Sequence, residues 1–353
     1  MNRPVSAIIL LAALGACTST STDRTYDPVV VVPEERRSQA PSPIVRPVST
    51  YSIVARDGAT GQLGVAVQSH WFSVGSVVPW AEAGVGAVAT QSLADVRYGP
   101  AGLELMRHGR TAQQALAALT SSDPGRNVRQ VAMIDAAGNV STHTGENCIA
   151  QASHAKLEAS DGSVYSAQAN LMTNEGVPEA MLDAAKNTKG DLAERLLAAM
   201  QAAERAGGDI RGRQSAAMLI VAGESTGAAW RDRVLELRIE DHKNPVAEMT
   251  RLLTLHRAYD AMNAGDVALE HGDTDAALKA YGRAADLAPG HAEMAFWTAV
   301  SYANSGRLDL ARPFFRTAFA DEADWKEVLK RLPRAGLTQF DKSILTEILS
   351  INP

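Results

Sequence analysis

The residues of this 353-residue chain that could carry out chemistry are polar side chains that border or interrupt apolar runs. Thr50 stands at the start of the first such run, and a threonine hydroxyl becomes a nucleophile where a base can take its proton. Asn170 and Arg213 interrupt later runs. The pattern alone favours ordinary roles for all three, because threonine is common in strands and amide or guanidinium groups often bond to strand ends.

Metal and nucleotide chemistry receive little support from the other candidates. The eight histidines include no pair in H-x-x-x-H or H-E-x-x-H spacing, so no metal site is predicted, and His143 and His242 are interpreted as structural. The G-V-G at residues 84–86 lacks the third glycine of a dinucleotide fingerprint, and no cofactor is predicted. Cys148 is a reactive thiol or, as its residue type favours, a small buried residue.

Hairpin-linked strands are the elements that would hold these side chains. Apolar runs at residues 52–55 and 63–67 flank turn residues, as do the runs at residues 129–134 and 139–143. Further strands are predicted at residues 74–78, 85–89, 164–169, 215–221 and 234–239. Helices are predicted at residues 102–108, 112–119, 178–206 and 245–256. This pattern predicts a mixed α+β domain with mostly antiparallel sheets.

Specific strings in this region carry a resemblance to a known family. Residues 50–57 read T-Y-S-I-V-A-R-D, and residues 75–91 read G-S-V-V-P-W-A-E-A-G-V-G-A-V-A-T-Q. Related strings follow at residues 98–105, 123–131, 135–140, 143–145, 207–217 and 241–248. Together they resemble domain-of-unknown-function family 1028 (DUF1028) over residues 50–255. That family is grouped with the N-terminal-nucleophile (Ntn) hydrolases.

The resemblance implies a fold and a mechanism. The fold would be a four-layer αββα sandwich. Thr50 would be the nucleophile, and its own α-amino group, freed by cleavage of the Ser49–Thr50 peptide bond, would be the general base. Ser69 would lie beside the nucleophile, and Thr90 and Gln91 would lie where backbone N–H groups face the developing oxyanion. Asn170 and Arg213 would complete the set of catalytic candidates.

The first 49 residues predict an anchor and a tether. Residues 1–17 contain Arg3, a short apolar run and the ending L-G-A-C, which resembles a bacterial lipobox with Cys17 as the lipidated residue. An ordinary secretory signal is the alternative. Thr18 after the cysteine favours the outer membrane, facing the periplasm. Residues 18–49 are rich in Ser, Thr and Pro and are interpreted as a disordered tether.

The C-terminal part repeats with a tetratricopeptide-like period. The pairs are Gly272 and Gly306, Ala277 and Ala311, Tyr281 and Phe315, and Ala284 and Ala318, each 34 residues apart. Residues 256–353 are therefore predicted to form two all-α helical repeats with a capping helix at residues 325–332. Two isolated repeats have little stability of their own, so they are predicted to pack against the preceding domain or against a protein partner. A plain helical appendage is the alternative.

Two functions remain open at this point. The first is an envelope-anchored amide hydrolase that acts on a cell-wall peptide or a small amide. The second is a non-catalytic envelope scaffold whose repeats bind a protein partner. The net charge of −6 argues against a general nucleic-acid binder, and the sequence leaves homo-oligomerisation open.

Overall fold

The structure, a computed structural model, describes residues 48–321 and 324–353. Its strands are β1 (Thr50–Arg56), β2 (Leu63–Ser69), β3 (Pro79–Glu82), β4 (Gly86–Ser92), β5 (Arg129–Asp135), β6 (Val140–Thr144), β7 (Ser153–Glu158), β8 (Val164–Ala169), β9 (Ser215–Val221) and β10 (Arg233–Ile239). They form a six-stranded sheet in the order β10-β9-β2-β1-β8-β7 and a four-stranded sheet in the order β3-β4-β5-β6. All the pairings between these strands are antiparallel.

The turn between β1 and β2 sets the register that matters for the site. One carboxylate oxygen of Asp57 accepts hydrogen bonds from the backbone N–H groups of Ala59 and Thr60, at 3.0 and 2.7 Å. Gly61 closes the turn with φ of +70°, a conformation that glycine adopts without strain. The resulting hairpin places Thr50, the first residue of β1, directly opposite Ser69, the last residue of β2.

Helices cover both sheets and complete four layers. The helices are α1 (Tyr98–Arg107), α2 (Ala112–Ser122), α3 (Val177–Asn187), α4 (Leu192–Arg205), α5 (Ala229–Asp232), α6 (Pro245–Glu270), α7 (Thr274–Leu287), α8 (Ala292–Asn304), α9 (Leu308–Phe319), α10 (Trp325–Arg331) and α11 (Lys342–Leu349). Helices α1 and α2 pack on the four-stranded sheet, and α3 and α4 pack on the six-stranded sheet. The predicted α+β class with antiparallel sheets is confirmed.

Side chains of β1 point alternately into two apolar cores, one on each face of the six-stranded sheet. Tyr51 and Ile53 point towards α3 and α4, where they join one buried apolar cluster. Val54 points the other way and packs between the two sheets with residues such as Val65. Because successive strand residues face opposite sides, Thr50 shares the inner face with Val54. The nucleophile candidate therefore lies between the sheets, at one end of the sandwich.

Several predicted elements differ from the observed ones. Residues 74–78 do not form a strand: Val74–Ser76 is a single 3-10 turn, and β3 begins at Pro79. A Cβ on Gly75 would lie 2.8 Å from the Ala217 side chain, so this turn approaches β9 too closely for a larger residue. Strand β7 was not predicted, because its only apolar residues alternate with exposed polar ones along a sheet edge. The predicted strands at residues 164–169 and 215–221 match the observed bounds.

Two helix predictions also need correction. The pattern at residues 178–206 is two helices, because Gly190 has φ of +127° and the Asp191 side chain caps the new helix by accepting from Glu194 N–H. The helix that begins at Pro245 does not end at residue 256 but continues to Glu270. The predicted domain boundary at residues 255 and 256 therefore falls inside a continuous helix.

The C-terminal helices have the predicted repeat. Helix α6 packs on α7 and helix α8 packs on α9, and a glycine with positive φ follows the first helix of each pair, Gly272 and Gly306. Of the residues that repeat after 34 positions, the two glycines are exposed. The alanine and aromatic positions are buried in both pairs, namely Ala277, Tyr281, Ala284, Ala311, Phe315 and Ala318. Arg257 of α6 also forms ion pairs with Asp191, which caps α4, and with Glu194 of α4, so the repeat region contacts the sandwich.

Phe315 offers a direct test of the repeat core. Its side chain is fully buried, and its ring lies 6.4 Å from the ring of Phe296 and 5.4 Å from that of Phe319. We expect Phe315→Ala to lower the free energy of unfolding by about 3–5 kcal/mol, because it leaves a cavity that aromatic neighbours cannot fill. Urea unfolding followed by circular dichroism measures the change. Phe72→Ala at an exposed position is the matched control, and an equal effect of the two substitutions would contradict the packing described.

The predicted signal peptide with Cys17 lies outside the described residues, as does the predicted tether up to residue 47. The last two residues assigned to that tether, Val48 and Ser49, are buried in the domain. Within the described part of the chain, no helix combines the length and apolar character needed to cross a membrane.

Candidate active site

Thr50 is held at the start of β1 in a fully buried position. Its hydroxyl donates a hydrogen bond to the carbonyl oxygen of Val48 at 2.8 Å. This hydrogen bond holds the hydroxyl beside the Ser49–Thr50 peptide bond. The backbone of Thr50 is fixed by β1, and that of Val48 is fixed by its bridge to Ser92. Such fixed placement is what an attack of a side chain on a neighbouring carbonyl requires.

The carbonyl oxygen of Ser49 accepts two hydrogen bonds from side chains. The Ser69 hydroxyl donates at 2.5 Å, and Nη2 of Arg211 donates at 2.7 Å. One of the two donors carries a full positive charge, and charge-assisted hydrogen bonds are the stronger kind. Both donors would stabilise negative charge on this oxygen if a nucleophile added to the carbonyl carbon.

Asp209 fixes the guanidinium of Arg211. Its Oδ1 accepts from Nε of Arg211 at 3.1 Å and from the Arg211 backbone N–H at 2.9 Å, and its Oδ2 accepts from Nη2 at 2.7 Å. The same Oδ2 accepts from the His70 backbone N–H at 3.2 Å. The Asp209 side chain is fully buried, so its carboxylate is shielded from water and holds the donor to Ser49 in one orientation.

Val48 is bridged to the end of β4 at the point where the chain enters the site. The Val48 N–H donates to the carbonyl oxygen of Ser92 at 2.6 Å, and the Ser92 N–H donates back to Val48 at 2.9 Å. This pair of bonds is an antiparallel bridge at the end of β4. The bridge therefore holds residues 48 and 49 inside the site, next to Thr50.

Amide side chains hold the other carbonyl of the site, that of Thr50. Nε2 of Gln91 donates to Thr50 O at 3.1 Å and to Oε1 of Gln130 at 2.8 Å. The Asn170 backbone N–H also donates to Thr50 O at 3.1 Å, and its Nδ2 donates to Gln130 at 3.0 Å. Oδ1 of Asn170 is buried and has no hydrogen-bond partner. A free acceptor is thus present on a residue that already binds Thr50.

The structure brings together four of the six predicted site residues. Ser69, Gln91 and Asn170 all surround Thr50, as described above. The Thr90 hydroxyl instead donates to the carbonyl oxygen of Asp95 at 3.1 Å, so it serves the adjoining turn.

Arg213 also lies outside this group. Its guanidinium pairs with Glu204, whose carboxylate also accepts from the Tyr51 hydroxyl. Burial, reinforced by the charge of Glu204, raises the pKa of Tyr51, so the phenol stays a donor. The arginine that reaches Ser49 is Arg211, two residues earlier, which sequence reasoning missed together with Asp209. The signal that could have found them is an acid two residues before an arginine, a spacing that lets one carboxylate bind both the backbone and the side chain.

Other nucleophile and metal candidates have ordinary roles. Cys148 Sγ donates to the carbonyl oxygen of Arg129 at 3.3 Å, and burial raises the pKa of this thiol, so it remains protonated and is a poor nucleophile. Nε2 of His143 bonds to the carbonyl oxygen of Arg126 at 2.7 Å. Across residues 48–321 and 324–353, no three acidic, histidine or cysteine side chains lie close enough to hold a metal ion.

A solvent-open cavity lies near the end of β2. Its volume is about 710 Å³, and it is lined by His70, Arg213, Gln214, Asp241, His242 and Lys243. His70 follows Ser69 in the chain, and the Gln214 N–H donates to the Ser69 carbonyl at 3.2 Å. The cavity therefore lies at the same end of β2 as the donor to Ser49.

Two parts of the chain match known protein families. Residues 50–249 match the model of a family of unknown function, DUF1028, and residues 262–325 match a tetratricopeptide repeat model. The crystal structure of protein SPO2555 from Silicibacter pomeroyi, of the DUF1028 family model, is similar with a TM-score of 0.51 and 31% sequence identity, covering 58% of this chain and 88% of that chain. No curated protein matches the chain.

Proposed function

This chain belongs to the DUF1028 family, and from that premise we propose that it is an amide hydrolase of the Ntn type with Thr50 as its nucleophile. The observation that carries the proposal is the pair of donors on Ser49 O, the Ser69 hydroxyl and the Arg211 guanidinium. They act on the one carbonyl that must be attacked if Thr50 is to gain a free amine. The four layers of the sandwich agree with the fold that the Ntn resemblance implies.

The proposed self-cleavage begins when the Thr50 hydroxyl oxygen adds to the carbonyl carbon of Ser49. The negative charge on Ser49 O is stabilised by Ser69 and Arg211. The C–N bond between Ser49 and Thr50 then breaks, the hydroxyl proton moves to the nitrogen, and an ester joins the two residues. The α-amino group of Thr50 is already free at this point. Water then hydrolyses the ester, which restores the hydroxyl, leaves a carboxylate on Ser49 and separates the two chains.

The freed amine then serves as general base for the mature enzyme. It takes the proton of the Thr50 hydroxyl as the oxygen attacks a substrate amide, and it passes that proton to the departing amine. Water then releases the acyl group from Thr50. The unused Oδ1 of Asn170 is the acceptor that would orient the amine, because Asn170 already binds Thr50 through its backbone. The substrate carbonyl would occupy the place of Ser49 O.

The proposal extends to location. We propose that Cys17 is lipidated and that the protein is exported to the outer membrane, facing the periplasm, where a cell-wall peptide or a small amide is the substrate. Cleavage at Ser49–Thr50 would separate the domain from that lipid. The lipobox-like ending L-G-A-C at residues 14–17 supports this location.

Intact mass and N-terminal sequencing of the purified protein test the proposed function. We expect a soluble fragment that begins at Thr50. A single chain in which residue 17 is still joined covalently to Thr50 would contradict the enzyme. The same chain, if lipidated, would support the second candidate function.

That second candidate is a non-catalytic scaffold whose repeats bind a protein partner. The observation that favours it is the full burial of the Thr50 hydroxyl in the intact chain. The match of residues 262–325 to a tetratricopeptide repeat is consistent with a role in protein binding. Exposed apolar side chains on the repeat helices, including Tyr259, Val267 and Leu310, would contribute to such a surface.

A further inference from the structure

Residues 48 and 49 occupy the site in the way that the acyl side of a substrate would. The Val48 backbone pairs with Ser92 through two hydrogen bonds, at 2.6 and 2.9 Å, and Ser49 O accepts from Ser69 and Arg211. The backbone bonds would hold any extended peptide of L-residues, since they involve no side chain. A single amino acid amide would leave the Ser92 bonds unmade.

The space that holds the Ser49 side chain is small, and the Ser49 hydroxyl makes no polar contact there. Ser49 is fully buried, and its hydroxyl has no hydrogen-bond partner. Protein interiors are packed too closely to accept a much larger group at such a position. Since a buried hydroxyl without a partner costs free energy, alanine would fit this position at least as well as serine.

The position of the Val48 side chain is apolar. Val48 is only 3% exposed and belongs to the cluster between the sheets, together with Val67, Val74 and Val78. A charged side chain would lose its hydration there without gaining a partner. This position therefore favours a branched aliphatic residue.

We propose that the substrate is an extended peptide whose acyl side ends in a small residue preceded by a branched apolar residue, with residues 48 and 49 as its built-in copy. This inference rests on the proposed function, because it requires Thr50 to act on an external amide. It decides between the two substrate classes in favour of a peptide over a small amide.

Three fluorogenic peptide amides test the inference on the native protein. The probes are the 7-amido-4-methylcoumarin derivatives of acetyl-Val-Ala, acetyl-Val-Phe and acetyl-Asp-Ala. Sequencing first establishes whether the chain begins at Thr50, and kcat/KM is then measured for each probe. We expect acetyl-Val-Ala to be hydrolysed with a kcat/KM about 100-fold above that of either other probe. Thr50→Ala protein is the control and should hydrolyse none of them.

The outcomes separate the two claims. If the chain begins at Thr50 but the three probes are hydrolysed equally, or acetyl-Val-Phe or acetyl-Asp-Ala is preferred, or none is hydrolysed, the substrate inference is wrong. If, in addition, Thr50→Ala protein remains uncut, the proposed self-cleavage still stands. If the chain is not cut at Thr50, both the proposed function and the substrate inference fail.

Discussion

Replacement of Thr50 by alanine is expected to leave the Ser49–Thr50 bond intact in every molecule. Without the hydroxyl there is no oxygen to add to the Ser49 carbonyl, although Ser69 and Arg211 still bind it. The change removes one buried hydrogen bond to Val48 O, which costs only about 1 kcal/mol of stability. Intact mass spectrometry of the purified variant should therefore show one uncut chain with a native circular dichroism spectrum.

Thr50→Ser is the matched control, because it retains the hydroxyl at the same position. We expect that variant to be cut at the same bond. Cleavage of Thr50→Ala at the native rate would show that a foreign protease makes the cut, and self-cleavage would then be wrong.

Removal of the Arg211 guanidinium is expected to slow self-cleavage by about 100- to 1,000-fold, the usual effect of losing one oxyanion donor. In Arg211→Met the Ser49 oxygen retains only the neutral Ser69 donor. The rate of appearance of the fragment that begins at Thr50 measures the effect. The matched control is Arg213→Met, two residues away, because that side chain pairs with Glu204 and does not reach Ser49.

Arg211→Met is expected to lower the stability of the fold as well as the rate of self-cleavage, so further variants are needed to distinguish the two effects. Arg211→Met leaves the buried carboxylate of Asp209 without its cation, which is destabilising by itself. Arg211→Lys keeps the charge, and Ser69→Ala removes the other donor without disturbing Asp209. Both should also slow cleavage while thermal unfolding stays cooperative. Equal cleavage rates for Arg211→Met and Arg213→Met would contradict the role given to Arg211.

Much of the fold could be predicted because its signals are local. The hairpin of β1 and β2 follows from apolar runs on either side of a turn, and the repeat helices follow from the 34-residue spacing of small and aromatic residues. The single helix predicted at residues 178–206 was wrong because the apolar spacing continues across the break between Asn187 and Leu192, in which Gly190 has positive φ. The strand predicted at residues 74–78 was wrong because a close approach to β9, far away in sequence, decides that conformation.

The candidate site was harder to predict because it depends on side-chain direction. Thr50 and Ser69 could be paired from the hairpin register alone. Arg211 and Arg213 lie in the same irregular segment, and only the position of Asp209 determines which one turns towards Ser49. The unused acceptor on Asn170 depends on its contact with Gln130, a residue on the opposite sheet.

The most direct test of self-cleavage is a time course in a reconstituted translation system that contains no protease. Intact mass should show the full chain converting to a fragment that begins at Thr50, with a first-order rate that is unchanged on dilution, because the nucleophile and the bond it attacks are in one molecule. A chain that folds and remains uncut, or a rate that falls on dilution, would contradict the proposal that Thr50 frees its own amine.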